Sequence, residues 1–113
     1  MIHKFYGKLS NSEKAIRQGL MYIKKPLKKR EGMLFDMSKC DFHKFWMKNT
    51  YIPLDVIFLN SNLKIIGYVT NNQPLSLQSI SINKKSRYIL ELNANRVNKF
   101  NIRINHYIEF YIT

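Results

Sequence analysis

The stretch FWMKNTYIPLD, from Phe45 to Asp55, continues directly into the apolar run VIFL, from Val56 to Leu59. Pro53 has no amide proton and biases the residue before it towards extended geometry, so a central strand is expected to begin after it. From Ile52 to Leu59 almost every side chain is apolar, at odd and at even positions alike, which is typical of a strand covered on both faces. The sequence therefore predicts a β-rich protein built around this run.

Asp55 is the one carboxylate within that apolar run. A buried charge is costly unless it is hydrogen-bonded, paired or protonated. The nearest cation in the sequence is Lys48, and Asn49 and Thr50 are possible hydrogen-bond donors. Two interpretations stay open: Asp55 is a structural clamp that holds the bend, or it belongs to a functional site together with this segment and Trp46.

The chain of 113 residues is expected to form a single domain, residues 1–113, with one core. Cys40 is the only cysteine, so no intramolecular disulfide forms, and such usage fits a reducing compartment or simply a protein without disulfide bridges. Residues 1–8 show no apolar region of a signal peptide, and no stretch approaches the roughly 20 apolar residues of a membrane span. We expect a soluble intracellular protein, cytoplasmic by default, with no transmembrane segment.

The formal net charge is +12, with 19 lysines and arginines against 7 acidic residues. One interpretation is a polyanionic partner, either nucleic acid or an anionic membrane surface. The other is compositional, because lysine, asparagine and isoleucine are abundant together, as AT-rich coding would give. If one patch binds an anion, we expect it in the proline-containing loop that carries the densest basic cluster, Lys24, Lys25, Lys28, Lys29 and Arg30, with Lys84, Lys85 and Arg87 as further candidates.

Alternation and turn residues predict the remaining elements. A first strand is expected over residues 1–9 and a short helix over 11–18, with Ser10 and Glu13 in capping-box spacing and Gly19 at the helix end. Residues 93–100 fit a helical turn. Further strands are expected at 32–37, 63–69, 87–92 and 102–112. The polar connection 70–85 is a candidate binding loop or mobile flap.

Glu91 interrupts a predicted strand as Asp55 does. If both carboxylates and Lys48 faced one cavity, they would form a site for general acid–base chemistry. If each acid capped a different backbone turn, neither would have a chemical role. Cys40 and His43 match no established zinc spacing, so no metal site and no cofactor are expected.

Several short sequence motifs resemble those of the family known as domain of unknown function 192, and the resemblance spans nearly the whole chain. These motifs are GLM at 19–21, GMLF at 32–35, FWMKNT at 45–50, IPLD at 52–55 and YILEL at 88–92. The resemblance implies a compact, mostly β, barrel-like domain with a short helix after the first strand, and no established activity. Any site shared with the family is expected at the matching polar residues, Lys48, Asn49, Asp55 and Glu91.

The chain departs from the family near its C-terminus, where family glycines are replaced by Asn95, Asn101 and Asn105, and an acid is replaced by His106. Asparagine is the residue that best replaces glycine at positive φ, so these turns should persist.

We expect a mostly β (α+β) fold class. It should consist of a single barrel-like antiparallel sheet with one short N-terminal helix and a helical turn near the C-terminus. Three functions remain in competition. They are a binding or accessory module, a polyanion-binding protein, and a small-ligand or enzymatic site at Lys48, Asp55 and Glu91; whether the protein is an enzyme stays open.

Overall fold

Six strands form one curled sheet in the order β4-β3-β5-β2-β1-β6. The structure, a computed structural model, describes all 113 residues. The mostly β, barrel-like prediction is confirmed. The elements in chain order are β1 (Ile2–Ser10), α1 (Glu13–Gln18), β2 (Glu31–Asp41), β3 (Leu54–Leu59), β4 (Ile65–Asn72), β5 (Ser86–Asn93), α2 (Arg96–Lys99) and β6 (Tyr107–Ile112).

Strand β3 is the most deeply buried element, as the apolar run predicted. All six of its residues are buried. It begins directly after Pro53 and pairs antiparallel with β4 on one side and with β5 on the other. The side chains of β3 that point to one face and those that point to the other are both buried, and all except Asp55 are apolar. The sheet is therefore covered on both faces at this strand.

Strand β1 is the exception in the predicted antiparallel sheet, because it pairs in parallel with both β2 and β6. The segment that contains α1 carries the chain back from the end of β1 to the start of β2, which is the crossover that a parallel pair requires. The curl is completed at one end by a bridge between Lys64 and Tyr107, beside which Ile65 N donates to His106 O at 2.8 Å.

Both helices are short and end as the sequence suggested. Ser12, and not Ser10, caps α1 by accepting a hydrogen bond from Ala15 N, because Ser10 is the last residue of β1. Gly19 ends α1 at φ 49°, and α2 is the expected helical turn. Neither helix offers the length or the apolar character that crossing a membrane demands.

The sheet separates two hydrophobic clusters. The first core receives side chains from all six strands and from α2, and it fills the inside of the curl; its fully buried members include Phe5, Ile57, Leu59, Ile65, Leu90, Leu92 and Ile102. The second core lies on the other face of the sheet. Besides strand residues it receives side chains from the segment after α1, the segment before Pro53 and the connection after β4; it includes Leu20, Phe35, Met47, Ile52, Val56, Phe58, Ile80 and Ile89.

The three asparagines that were expected to stand in turns at positive φ adopt that conformation. Asn95, Asn101 and Asn105 have φ values of 70°, 53° and 77°. Asparagine tolerates this left-handed region better than other side chains do, so the turns around α2 persist without glycine.

Candidate functional site

Asp55 and Glu91 lie on neighbouring strands but face opposite sides of the sheet. In the β3–β5 register, Asp55 is paired with Leu92 and Val56 is paired with Glu91. Because paired residues share a face and successive residues alternate, Asp55 points to the first core and Glu91 to the second. The predicted site that joins both acids with Lys48 is therefore not assembled.

Asp55 is a structural clamp whose partners are backbone amides. Its side chain is fully buried, Oδ1 accepts from Asn71 N at 2.9 Å, and Oδ2 accepts from Val97 N at 2.9 Å. Asn95, the residue that precedes α2, makes no capping hydrogen bond with its own side chain. Asp55 thus caps α2 from a distant strand and ties it to the end of β4. Lys48, the nearest cation in the sequence, is not among the hydrogen-bond partners of Asp55.

The FWMKNT segment is held in place by backbone hydrogen bonds to two other parts of the chain. Phe45 exchanges hydrogen bonds with Ile80, and Met47 N donates to Ser76 O at 3.0 Å. Asn49 sits at φ 54° and is bonded twice to Tyr22: its carbonyl accepts from Tyr22 N at 2.8 Å, and its Nδ2 donates to the Tyr22 hydroxyl at 3.1 Å. The segment is therefore rigidly placed although it forms neither helix nor strand.

Within this segment the polar side chains take different positions. Thr50 is buried, and its Oγ1 donates to Lys48 O at 3.2 Å, which tightens the turn. Trp46 is about half exposed, at 48%. The Lys48 ammonium lies over the Trp46 ring, 5.1 Å from its centre, in a cation–π arrangement.

Glu91 lies at a cleft beside the second core, which we call the Glu91 cleft. Its volume is about 200 Å³, and its lining comprises the C-terminal part of α1 and the residues after it, together with Phe35, Met37, Lys44, Phe45, Trp46, Thr50 and Glu91. Gly19 lies so close that a Cβ at that position would stand 3.6 Å from Glu91 Oε1 and 3.3 Å from the Phe35 ring. Glycine at this position therefore keeps the approach to the carboxyl group free.

The Glu91 carboxyl group receives no hydrogen bond from the protein, in contrast to Asp55. The residue is only 7% exposed, and burial raises the pKa of its carboxyl group from 4.5 to about 7. A rise of this size corresponds to about 3 kcal/mol against the ionised form. Near neutral pH the group is present in both protonation states, so it can donate or accept a hydrogen bond.

A second depression adjoins the Glu91 cleft, and we call it the outer groove. It measures about 370 Å³ and shares Arg17, Gln18, Met21 and Trp46 with the cleft. Its other lining residues are Lys14, Tyr22, Lys48 and Asn49. Three basic side chains thus line the outer groove, and none of its lining residues is acidic.

The predicted basic cluster lies in the loop between α1 and β2. Lys24, Lys25, Lys28, Lys29 and Arg30 are all exposed. The loop is anchored at Leu27, whose backbone N donates to Asn93 Oδ1 and whose carbonyl accepts from Asn93 Nδ2. Arg30 stacks over the Phe100 ring at 4.0 Å, so it also has a packing role. The four lysines share one anchored loop and none of them is in an ion pair.

No group of three or more histidine, cysteine or acidic side chains converges in the structure. His3 and His106 form a pair, with His3 Nε2 3.0 Å from His106 Nδ1. Because His106 Nδ1 also accepts from Arg103 N, His3 is the donor in this pair. Sequence patterns gave no sign of this contact, since the two residues belong to opposite ends of the chain.

Several residues of the Glu91 cleft were also missed. Arg17, Met21, Phe35 and Phe45 come from three separated segments, and no local pattern connects them. Two signals did exist: Gly19 and Glu91 both lie in words that match the family, and Glu91 is the single acid of an apolar strand.

Comparison with known proteins gives relatives without an established activity. A family model described as DUF192, an uncharacterized ACR, matches residues 2–110. A search of curated proteins finds no match.

Two solved structures share the fold. One, from Sinorhizobium meliloti 1021, is provisionally described as a transcription regulator; it is 34% identical, with 88% of this chain and 76% of that chain covered and a TM-score of 0.85. The other, a protein of unknown function from Novosphingobium aromaticivorans DSM 12444, is 27% identical, with 88% and 70% covered and a TM-score of 0.83. The family match over nearly all of the sequence, together with this shared fold, shows that the chain belongs to the DUF192 family.

Proposed function

We propose that the protein is a small-ligand-binding module and that the Glu91 cleft is its binding site. The observation that carries the proposal is the Glu91 carboxyl group, which is more than nine-tenths buried, receives no hydrogen bond from the protein and faces the cleft. Perturbed, partly buried acids in clefts are typical of binding and catalytic sites.

The free energy of folding supports the same interpretation. Asp55 is also buried, but it stabilises the fold by accepting two backbone amides. Glu91 makes no such bond, and its ionised form is disfavoured by about 3 kcal/mol. A neutral side chain of similar size would give a more stable protein at neutral pH. A residue that lowers stability without a structural role is expected where function requires it.

The shape of the cleft suits a ligand with one ring. A cavity of about 150 Å³ accommodates benzene, and the Glu91 cleft measures about 200 Å³. Its walls include the rings of Phe35, Phe45 and Trp46. Small-molecule sites commonly combine such an apolar lining with a few polar groups that orient the ligand. The polar lining residues here are Glu91, the buried Thr50, Arg17, Gln18 and Lys44.

A fragment screen by ¹H–¹⁵N NMR tests the proposal. Ring-containing fragments with a hydroxyl or amide donor are expected to shift amides of Gly19, Phe35 and Trp46, and Glu91→Gln should weaken that binding at least tenfold. Glu109→Gln on β6 is the matched control and should leave the binding unchanged. Fragments that bind elsewhere, or that bind the Glu91→Gln variant equally well, would overturn the proposal.

A second candidate function is polyanion binding through Lys24, Lys25, Lys28, Lys29 and Arg30. Only two ion pairs form in the whole molecule, Arg17 with Glu13 and Arg87 with Asp36, so most of its cations have no carboxylate partner. The Sinorhizobium relative, provisionally described as a transcription regulator, makes nucleic acid the polyanion to test first. An intracellular location would suit such a partner and also the single exposed cysteine, Cys40.

Fluorescent single-stranded and duplex DNA, titrated over a salt series, tests this candidate. Neutralising the five basic residues of the loop should weaken binding and reduce the slope of log affinity against log salt. The matched control neutralises five other lysines with the same change in net charge: Lys4, Lys8, Lys39, Lys64 and Lys99. Equal losses in the two variants would mean that the net charge, and not the loop, attracts DNA.

A further inference from the structure

We infer that the ligand of the Glu91 cleft is an anion with two distinct ends: a hydroxyl or amide that meets Glu91, and a carboxylate or phosphate that lies among Lys14, Arg17 and Lys48 in the outer groove. This inference rests on the proposed function and adds the chemical class of the ligand.

The cleft and the outer groove are one continuous surface. They share four lining residues, and Trp46 and Met21 are among them. A ligand that extends beyond the cleft past the Trp46 ring therefore enters the outer groove. The ring itself is suited to the middle of such a ligand, because an exposed indole presents a large apolar face at a small entropic cost.

The charges of this surface are distributed unevenly along its length. Glu91 is the only acidic residue that lines either depression. Three cations, Lys14, Arg17 and Lys48, line the outer groove, whereas the cleft has Lys44 and the shared Arg17 in addition to its carboxyl group. The nearby Glu13 pairs with Arg17 in a bridge in which the Arg17 and Glu13 side chains are 73% and 89% exposed. An exposed bridge of this kind is weak and can be exchanged for a ligand anion. A ligand with a donor at one end and a negative charge at the other matches this distribution.

Lys48 is held by the fold and does not extend from a mobile loop. Its neighbour Asn49 is bonded twice to Tyr22, and the turn is closed by Thr50 N donating to Met47 O at 3.1 Å. The ammonium group is kept over the Trp46 ring. The chain offers a natural control for this arrangement, because Lys64 lies over the Tyr107 ring at 5.9 Å, away from the cleft.

Four probes with a common ring test the inference by NMR titration at constant ionic strength. They are 3-(4-hydroxyphenyl)propanoate, which has both ends, the neutral 4-ethylphenol, 3-phenylpropanoate, which lacks the hydroxyl, and 4-hydroxyphenethyl phosphate. The two probes with both ends should bind at least about tenfold more tightly than either probe that lacks one end. The ratio between the carboxylate and the phosphate probe then identifies which anion the groove prefers.

Variants assign each end of the probe to its residue. Lys48→Met, combined with Arg17→Gln, should remove the advantage of the anionic probes over 4-ethylphenol, whereas Glu91→Gln should remove the advantage of the hydroxyl. Lys64→Met should change neither. If neutral and anionic probes bind the cleft equally, the inference is overturned while the proposed function stands. If no probe shifts the cleft amides, both are overturned.

Discussion

The two buried acids of the sheet, Asp55 and Glu91, stand on adjacent strands and have opposite relations to the fold. Asp55 faces the first core, where each oxygen accepts a backbone amide. Glu91 faces the second core, where it accepts none and its pKa rises to about 7. Burial alone therefore does not define the role of an acid: the Asp55 carboxylate is bonded to two backbone amides, whereas the Glu91 carboxyl group has no hydrogen bond from the protein and a raised pKa.

Removing the Asp55 carboxylate should have the largest effect on stability. In Asp55→Ala the buried amides of Asn71 and Val97 lose their acceptors, and each bond to a charged group contributes about 1.5 to 3 kcal/mol. We expect the free energy of unfolding to fall by about 4 kcal/mol in urea titrations. Asp55→Asn, which keeps one acceptor oxygen, should lose about half as much. A loss below about 1 kcal/mol would show that these two bonds do not hold α2 and β4.

Glu91→Gln should have the opposite sign and should depend on pH. Because the folded-state pKa is raised to about 7 from 4.5, the contribution of Glu91 to stability is fully present below pH 4.5 and is lost as the pH rises through 7. Glutamine resembles the protonated form at every pH. The variant should therefore match the parent near pH 4 and exceed it by up to about 3 kcal/mol above pH 8.

Urea unfolding at pH 4, 6 and 8.5 measures this difference, with Glu109→Gln as the control for the loss of a carboxylate. A stability difference that stays constant across the three pH values would contradict the raised pKa of Glu91.

Gly19→Ala should affect the cleft more than the fold. The substitution places a methyl group 3.3 Å from the Phe35 ring at φ 49°, where non-glycine residues are strained. Such backbone strain costs about 1 to 3 kcal/mol. The methyl group also approaches Glu91, so fragment affinity should decrease beyond what the stability loss explains. Ala15→Gly in α1, which costs about 1 kcal/mol without reaching the carboxyl group, is the comparison variant.

The histidine pair gives the smallest expected effect and a pH response opposite to that of Glu91. Burial, together with the charges of His106, Arg30 and the N-terminal amine, lowers the pKa of His3 below 6.5. A depressed histidine pKa means that its stabilisation is complete above pH 6.5 and is lost as the pH falls through the folded-state value. In the Glu91→Gln background, unfolding free energy should therefore rise with pH below 6.5. His3→Gln should flatten that rise. If the pH dependence of the unfolding free energy is unchanged in this variant, the rise belongs to another titrating group.

The sequence allowed the centre of the fold to be predicted because its signals are local. Pro53 marks the start of β3, the apolar run marks its burial, and the asparagines at 95, 101 and 105 mark turns at positive φ. The parallel pairing of β1 was missed because strand partners far apart in the sequence leave no local pattern. The prediction that Ser10 caps α1 was wrong. Strand β1 extends to Ser10, so the helix begins later and Ser12, two residues further on, is its cap.

The candidate site was predicted in part. The clamp interpretation of Asp55 agrees with its observed hydrogen bonds, but its partners are backbone amides, which sequence reasoning cannot choose among. The separation of Asp55 from Glu91 depends on the register between β3 and β5, where a shift by one residue would have placed both on one face. Glu91 was singled out because it interrupts an apolar strand, but its cleft is formed by segments that only the fold brings together.

The parallel pairing of β1 has a consequence for how the chain folds. Ile2 is aligned with Tyr107, and the pairing continues to Gly7 and Ile112. During synthesis the first strand therefore emerges long before one of its two partners exists, and it can complete its hydrogen bonds only after the last strand has been made. Contacts so distant along the chain slow folding, because the loop between them must close before they form. Final closure of the curl is thus expected to be a late event in folding.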